Sequence, residues 1–246
     1  MRPGAGTRIA VTGVGGAPGF DLAVSLLRRG FGVIGLDADP LAPGLLIPGI
    51  IPRVTAAAGS TGYPAQLLGL CRELRPAALF SVVEHELPGL IRLRHDLAGR
   101  DGQASVILRW RLLVKGGLSV VSATFRDEQT AGLVRQVLAA AGAAGPCCVQ
   151  GIIGDDGPGP RVRFIEANAR FAGAFRLSEE AGADLVGQAL NGMFGAPVDH
   201  AALAYQPGVY LTKYTETLAA GPRPAQDGSL GDSRQAAGEG APGWLT

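Results

Sequence analysis

The chain has 246 residues, 47% hydrophobic and 17% charged, with a formal net charge of +1. Its length and apolar content suit one large or two small domains with buried cores, and the near-zero charge gives no electrostatic basis for binding nucleic acid or a membrane surface. Cys71 and the adjacent Cys147 and Cys148 have neither metal-site spacing nor an even disulfide framework, which favours a reducing compartment. The apolar run from Ile9 to Val14 is too short for a signal peptide or a membrane span, so a cytoplasmic protein is expected.

Arg8 to Asp37 reads as strand, glycine turn, helix and strand. Ile9, Ala10 and Val11 form the first strand, Gly13, Gly15, Gly16 and Gly19 crowd the turn, and Leu22, Leu26 and Leu27 recur at helical spacing before Val33 to Leu36. This is the pattern of a βαβ unit. Glycines at such a turn bring backbone N–H groups to an anion at the helix N-terminus, and an acidic residue ending the second strand, here Asp37, can hold a ribose. Pro40 to Pro52 is expected to be a surface loop, and Tyr63 to Arg72 a helix through Leu67, Leu68 and Cys71. Ala77 to Val83 reads as a strand ending in Glu84-His85-Glu86-Leu87-Pro88, where carboxylates would border the ligand crevice of a parallel sheet and His85 reads as a solvated loop histidine. Leu90 to Leu97 is expected to be helical, and Gly99 to Gln103 marks a boundary.

In the second half, Val106 to Val114 reads as a strand with Arg109 and Arg111 alternating around Trp110. Lys115-Gly116-Gly117 then fits a hairpin turn, and equally a lysine and exposed amides that grip a phosphate. Asp127 to Ala141 is an expected helix with acidic residues in its first turn. Cys147 to Ile153 is a strand carrying Gln150, and Asp155-Asp156-Gly157 a turn. Arg163 to Gly173, R-F-I-E-A-N-A-R-F-A-G, alternates so that Glu166, Asn168 and Arg170 share one side while Ile165, Ala167, Ala169 and Phe171 form a core face. A carboxylate and an amide oxygen two residues apart can reach one hard cation such as Mg²⁺, completed by phosphate oxygens and water, with the planar fork of Arg170 offered to a phosphate. An ordinary solvated strand face carries such residues too. Gly208 to Leu218 reads as a last strand, and Ala219 to Thr246 as a disordered tail.

Glu166 to Gly173, E-A-N-A-R-F-A-G, resembles the E-x-N-P-R-F-x-G signature of the ATP-grasp superfamily, especially relatives of the carbamoyl-phosphate synthase large subunit, with Ala169 in the place of the usual Pro. Ser178 to Leu185 is similar to the helix start that follows the signature, Lys115 to Val120 to a late K-x-G-x-S-V turn, and the Gly13 to Gly19 stretch to the glycine-rich unit that opens such chains. The resemblance implies an α/β protein in which an N-terminal Rossmann-like, pre-ATP-grasp domain (residues 1–104) precedes a shortened ATP-grasp domain with a mixed or antiparallel sheet (105–218) and a tail (219–246). It implies ATP and Mg²⁺ as cofactors, Gln150, Glu166 and Asn168 as metal ligands, Arg170 as the phosphate contact and catalytic group, and Lys115 as a second phosphate contact. The chemistry implied is carboxylate–amine (or thiol) ligation through an acyl phosphate on a small-molecule carboxylate. The family's central nucleotide-clamping subdomain has no counterpart in the sequence. That leaves a catalytically inactive remnant or binding module as the alternative, with a homo-oligomer as one way to supply the missing wall. A third reading, a nicotinamide-binding short-chain dehydrogenase, rests on Gly13-x-x-Gly16-x-x-Gly19 and Asp37 and lacks a Tyr-x-x-x-Lys pair.

Overall fold

The computed structural model describes residues 4–86, 103–154 and 161–214. The expected helix at Leu90 to Leu97, the boundary residues 99–102, the Asp155-Asp156-Gly157 turn, residues 215–218 of the last strand and the 219–246 tail lie outside them. The chain divides into two compact units, Pro3–His95 and Asp96–Thr215.

The first unit is a parallel sheet with helices in its crossovers. Strand β1 (Arg8–Thr12) leads through α1 (Ala17–Arg28) to β2 (Gly32–Asp37), then to β3 (Ile50–Val54), α2 (Tyr63–Leu74) and β4 (Ala78–Phe80). The spatial order is β3-β2-β1-β4, with Ile9 beside both Val33 and Ala78. Near-continuous apolar runs suit strands covered on both faces. Ala10, Ile34 and Leu36 pack with Tyr63, Leu67 and Leu74 of α2, so by strand alternation Ile9, Val11 and Val33 turn to the opposite side, where all three are buried.

The surface loop expected at Pro40 to Pro52 is not what forms. Ala42, Leu45, Ile47 and Ile50 are buried, Pro43–Leu46 makes a 3-10 turn, and Ile50 begins the edge strand β3. Gly and Pro punctuation hid a short strand whose Pro52 is tolerated because an edge strand leaves one side of its backbone unpaired.

The second unit is antiparallel. Strands β5 (Leu108–Lys115), β6 (Leu118–Phe125) and β9 (Tyr210–Thr212) form one sheet in the order β5-β6-β9. Strands β7 (Cys148–Ile153) and β8 (Val162–Asn168) form a separate ribbon. The β5–β6 connection is a two-residue hairpin with Gly116 at φ 54 and Gly117 at φ 78, the left-handed pair that a turn matching strand twist requires. Helix α3 (Glu128–Ala140) follows β6, and α4 (Phe175–Glu180) and α5 (Leu185–Met193) follow β8. The core draws on this last region: Phe175, Leu177, Ala183 and Val186 are each at most 1% exposed, and the Phe171 and Phe175 rings meet at 4.9 Å.

The mixed α/β architecture, with one parallel and two antiparallel sheets, matches the expected fold class. The expected core face of β8 forms only at its end: Phe171 is buried at 3%, whereas Ile165 is 65% exposed and Ala167 and Ala169 are exposed. Register explains part of this, because Gln150 faces Glu166 but Gly151 faces Phe164, so Ile165 is the extra residue of a bulge. Among the described residues no helix is long and apolar enough to cross a membrane.

Candidate functional site in the β7–β8 ribbon

Antiparallel register brings together the residues that sequence spacing only suggested. Gln150 stands directly opposite Glu166, and Cys148 opposite Asn168. Residues opposite each other on one face of an antiparallel pair have neighbouring side chains. Glu166 Oε1 accepts from Gln150 Nε2 and from Asn168 Nδ2, the latter at 3.1 Å. Gln150, Glu166 and Asn168 are thus one cluster, built by the pairing of β7 with β8.

A fourth side chain joins it. Arg111 of β5 donates from Nη1 to Gln150 Oε1 at 2.8 Å and from Nη2 to the Gly117 carbonyl at 2.8 Å. The guanidinium therefore ties the β5–β6 hairpin to the glutamine. Sequence reasoning placed Arg111 in a strand without assigning it a role, although its alternation with Arg109 was the available signal. Arg109 donates from Nη1 to the Ala174 carbonyl at 2.7 Å, and burial lowers its proton affinity from the usual range.

The other two expected site residues lie elsewhere in the same unit. Lys115 is exposed at the hairpin end, paired with Leu118 across the glycine turn. Arg170, just beyond β8, is half-buried and donates from Nη1 to the Phe171 carbonyl at 3.1 Å, while its backbone N–H donates to the Asn168 carbonyl at 2.8 Å.

The cluster fits a hard cation in part. Three oxygen-bearing side chains are the right donor type, but Glu166 supplies the single negative charge, and the amide oxygen of Gln150 is engaged by Arg111. Asn168 presents its NH₂ group to the carboxylate; rotating an amide by 180° exchanges oxygen for nitrogen with little displacement. One carboxylate and two amides hold Mg²⁺ only when phosphate oxygens and water complete the shell, and a phosphate there would also give Arg111 an acceptor in place of Gln150. No group of three or more His, Cys, Asp or Glu side chains able to hold a metal occurs among the described residues.

The glycine-rich turn of the first unit is occupied by its own chain. Asp37 Oδ2 accepts the Gly15 N–H at 2.7 Å and Oδ1 the Asp39 N–H at 3.0 Å. The carboxylate that could hold a ribose thus already closes the turn. Gly44 fits against Val14 so tightly that a Cβ there would meet the Val14 carbonyl oxygen at 2.1 Å.

No family model matches the chain, and no curated protein matches it. Among solved structures, glycinamide-RNase-transformylase T from Mycobacterium tuberculosis is similar at 17% sequence identity and a TM-score of 0.45, over 78% of this chain and 81% of that one. A likeness at that level fixes neither family nor activity.

Proposed function

We propose that the chain is an ATP-grasp type protein that binds Mg²⁺-ATP at the β7–β8 ribbon and uses it in carboxylate–amine or carboxylate–thiol ligation. The observation that carries this reading is the register of Gln150 against Glu166, with Asn168 on the same carboxylate oxygen, because it gathers the residues for which the E-A-N-A-R-F-A-G resemblance implies a metal-binding role. Glu166, Gln150 and Asn168 would hold the metal, with Arg170 and Lys115 at phosphate oxygens. When bound, Mg²⁺ supplies charge neutralisation on the transferred phosphoryl group and alignment for in-line displacement. The chain's own part is to hold those oxygens and the arginine in place, so that a small-molecule carboxylate can be activated for attack by the nucleophile. The setting proposed is cytoplasmic, with a second copy of the chain able to supply a wall that the sequence lacks.

A non-catalytic binding module is the second reading, and exposure of the ribbon favours it. Glu166 is exposed, as are Ile152, Phe164 and Ile165 around it, so a phosphate held there stays open to water unless another surface closes over it.

Calorimetric titration of the full chain with a non-hydrolysable ATP analogue, with and without Mg²⁺, separates these outcomes. Mg²⁺-dependent heat that disappears in Glu166→Ala is expected. Absence of heat from folded protein in every combination would defeat the nucleotide site, and binding of the analogue together with no consumption of ATP itself in a separate assay with carboxylates would leave the binding module.

A further inference from the structure

Two neighbouring arginines of the second unit are held by neutral oxygens alone. Arg109 and Arg111 stand two residues apart in β5, in the regular part of its pairing, where Arg109 faces Thr124 and Arg111 faces Ser122. Both side chains therefore leave the same face of the strand. Arg109 donates to the Ala174 carbonyl, and Arg111 to Gln150 Oε1 and the Gly117 carbonyl. Arg53, Arg135, Arg161 and Arg176, by contrast, each meet a carboxylate, of Glu73, Glu128, Asp127 and Glu180 in turn. No carboxylate pairs with Arg109 or Arg111 among the described residues. A guanidinium is always charged and has more N–H donors than these bonds use, so donors and positive charge are left over at both side chains.

The surroundings show where those donors lie. Arg111 reaches Gln150 of β7, and Arg109 is close enough to Cys148 for the two to interact electrostatically. Cys148 and Gln150 share one face of β7 and stand opposite Asn168 and Glu166. The two guanidinium groups thus run beside successive rungs of the ribbon, on the side that carries the Gln150, Glu166 and Asn168 cluster.

Two like charges placed in this way repel. Side chains leaving one face of a strand two residues apart start roughly 7 Å from each other, and Arg109 is half-buried, where water screens its charge less than in the open. The carbonyl contacts hold the pair in position without neutralising it. An anion bonded to both removes the repulsion.

We propose that Arg109 and Arg111 form a two-guanidinium site for one oxyanion group, phosphoryl or carboxylate, of a small-molecule ligand. The planar forks match the oxygens of either group in charge and in geometry. A neutral polar group would leave both charges unanswered, and a metal cation is repelled. The inference rests on the reading of the ribbon as a ligand site. Its test uses neither Mg²⁺ nor nucleotide, so the two readings can fail separately.

The experiment is an amide NMR titration of the full chain with sodium phosphate and with sodium acetate, each compared with sodium chloride at equal ionic strength and pH. Saturable shifts at Gly117, Val149, Gln150 and Ala174 are expected from an oxyanion and not from chloride. A response to phosphate alone marks a phosphoryl group, and one to acetate alone a carboxylate. In Arg111→Gln the dissociation constant should rise roughly tenfold or more through loss of a charge-assisted bond. Arg109→Lys keeps the charge, loses the planar fork, and should raise the constant as well. Arg176→Gln removes the same charge from α4 and should leave it unchanged. No saturable shift with either oxyanion, equal shifts from chloride, unchanged affinity in Arg111→Gln, or equal weakening in Arg176→Gln would overturn the proposal. If Arg109→Lys does not fold, Arg111→Gln decides alone. Oxyanion binding that persists while the Mg²⁺-nucleotide titration is silent would remove the nucleotide reading and leave this one standing.

Discussion

At the scale of single residues, identical chemistry has opposite consequences at different glycines. A Cβ added at Gly44 meets Val14 at 2.1 Å from its carbonyl oxygen and 2.6 Å from its Cβ, both parts of a buried residue that cannot swing aside. Gly69 lies inside α2 with nothing within 4 Å of such a Cβ. Gly44→Ala is therefore expected to destabilise the full chain by about 1–3 kcal/mol through overpacking. Gly69→Ala should stabilise it by about 0.5–1 kcal/mol through lower unfolded-state entropy and better helix propensity. Urea unfolding of the two variants checks both signs, and a neutral Gly44→Ala would contradict the packing described. The sequence showed a glycine-rich turn at Gly13 to Gly19 and marked Pro40 to Pro52 as loop. It could not show that Gly44 is pressed onto that turn, because the contact spans thirty positions and depends on where the edge strand lies.

At the scale of elements, α3 and β8 are coupled through Asp127. Its Oδ1 accepts the Thr130 N–H at 3.0 Å, capping α3, and its Oδ2 pairs with Arg161, which immediately precedes β8. The Thr130 amide first, and Arg161 next, hold the Asp127 carboxyl below the usual aspartate range. A depressed folded value means the contribution is complete above the unfolded aspartate pKa, near 3.9, and is lost as pH falls through the folded value. Asp127→Asn keeps a capping oxygen and removes the charge. Its urea midpoint should lie below that of the parent at neutral pH, and the gap should close on acidification below about pH 4. A gap unchanged down to pH 2 would show that the charge is not its source. The sequence placed Asp127 with Glu128 in the first turn of the helix, and the structure makes Asp127 the cap that precedes it. Its pairing with Arg161 was not legible there, since nothing local relates residues 34 apart.

The same scale accounts for the candidate site. Alternation placed Glu166 and Asn168 on one side of β8, and Gln150 entered through the ATP-grasp resemblance. Only strand pairing put Gln150 opposite Glu166 and brought Arg111 onto the glutamine. Alternation also misplaced Ile165, because a bulge there shifts the period and leaves its side chain largely exposed, whereas Phe171 of the same expected face is buried.

At the scale of the whole molecule, each unit has its own core. Leu22 is 0% exposed in the first and Phe175 1% exposed in the second. Leu22→Ala is expected to cost about 2–5 kcal/mol and Phe175→Ala about 3–5 kcal/mol, each from lost burial and a residual cavity. Native-state hydrogen exchange should show faster opening of β1, β2 and β4 in Leu22→Ala, and of β6 and the helices after β8 in Phe175→Ala. Loss of protection in both units from either substitution would mean that the two cores open as one.

The sequence by itself determined the elements whose causes are local. Apolar runs, glycine punctuation and helical spacing specified β1, α1, β2, α2 and α3, and the order of charged and amide residues in E-A-N-A-R-F-A-G nominated a metal-binding cluster. Tertiary structure decided everything that depends on register and strand order: the edge strand hidden at Ile50–Val54, the bulge at Ile165, the guanidinium of Arg111 on Gln150, and that of Arg109 beside Cys148. The physical reason is the range of the forces. Backbone sterics and side-chain periodicity act over a few residues and are written in the chain, whereas hydrogen-bond pairing and burial join residues distant in sequence and exist only once the sheets are assembled.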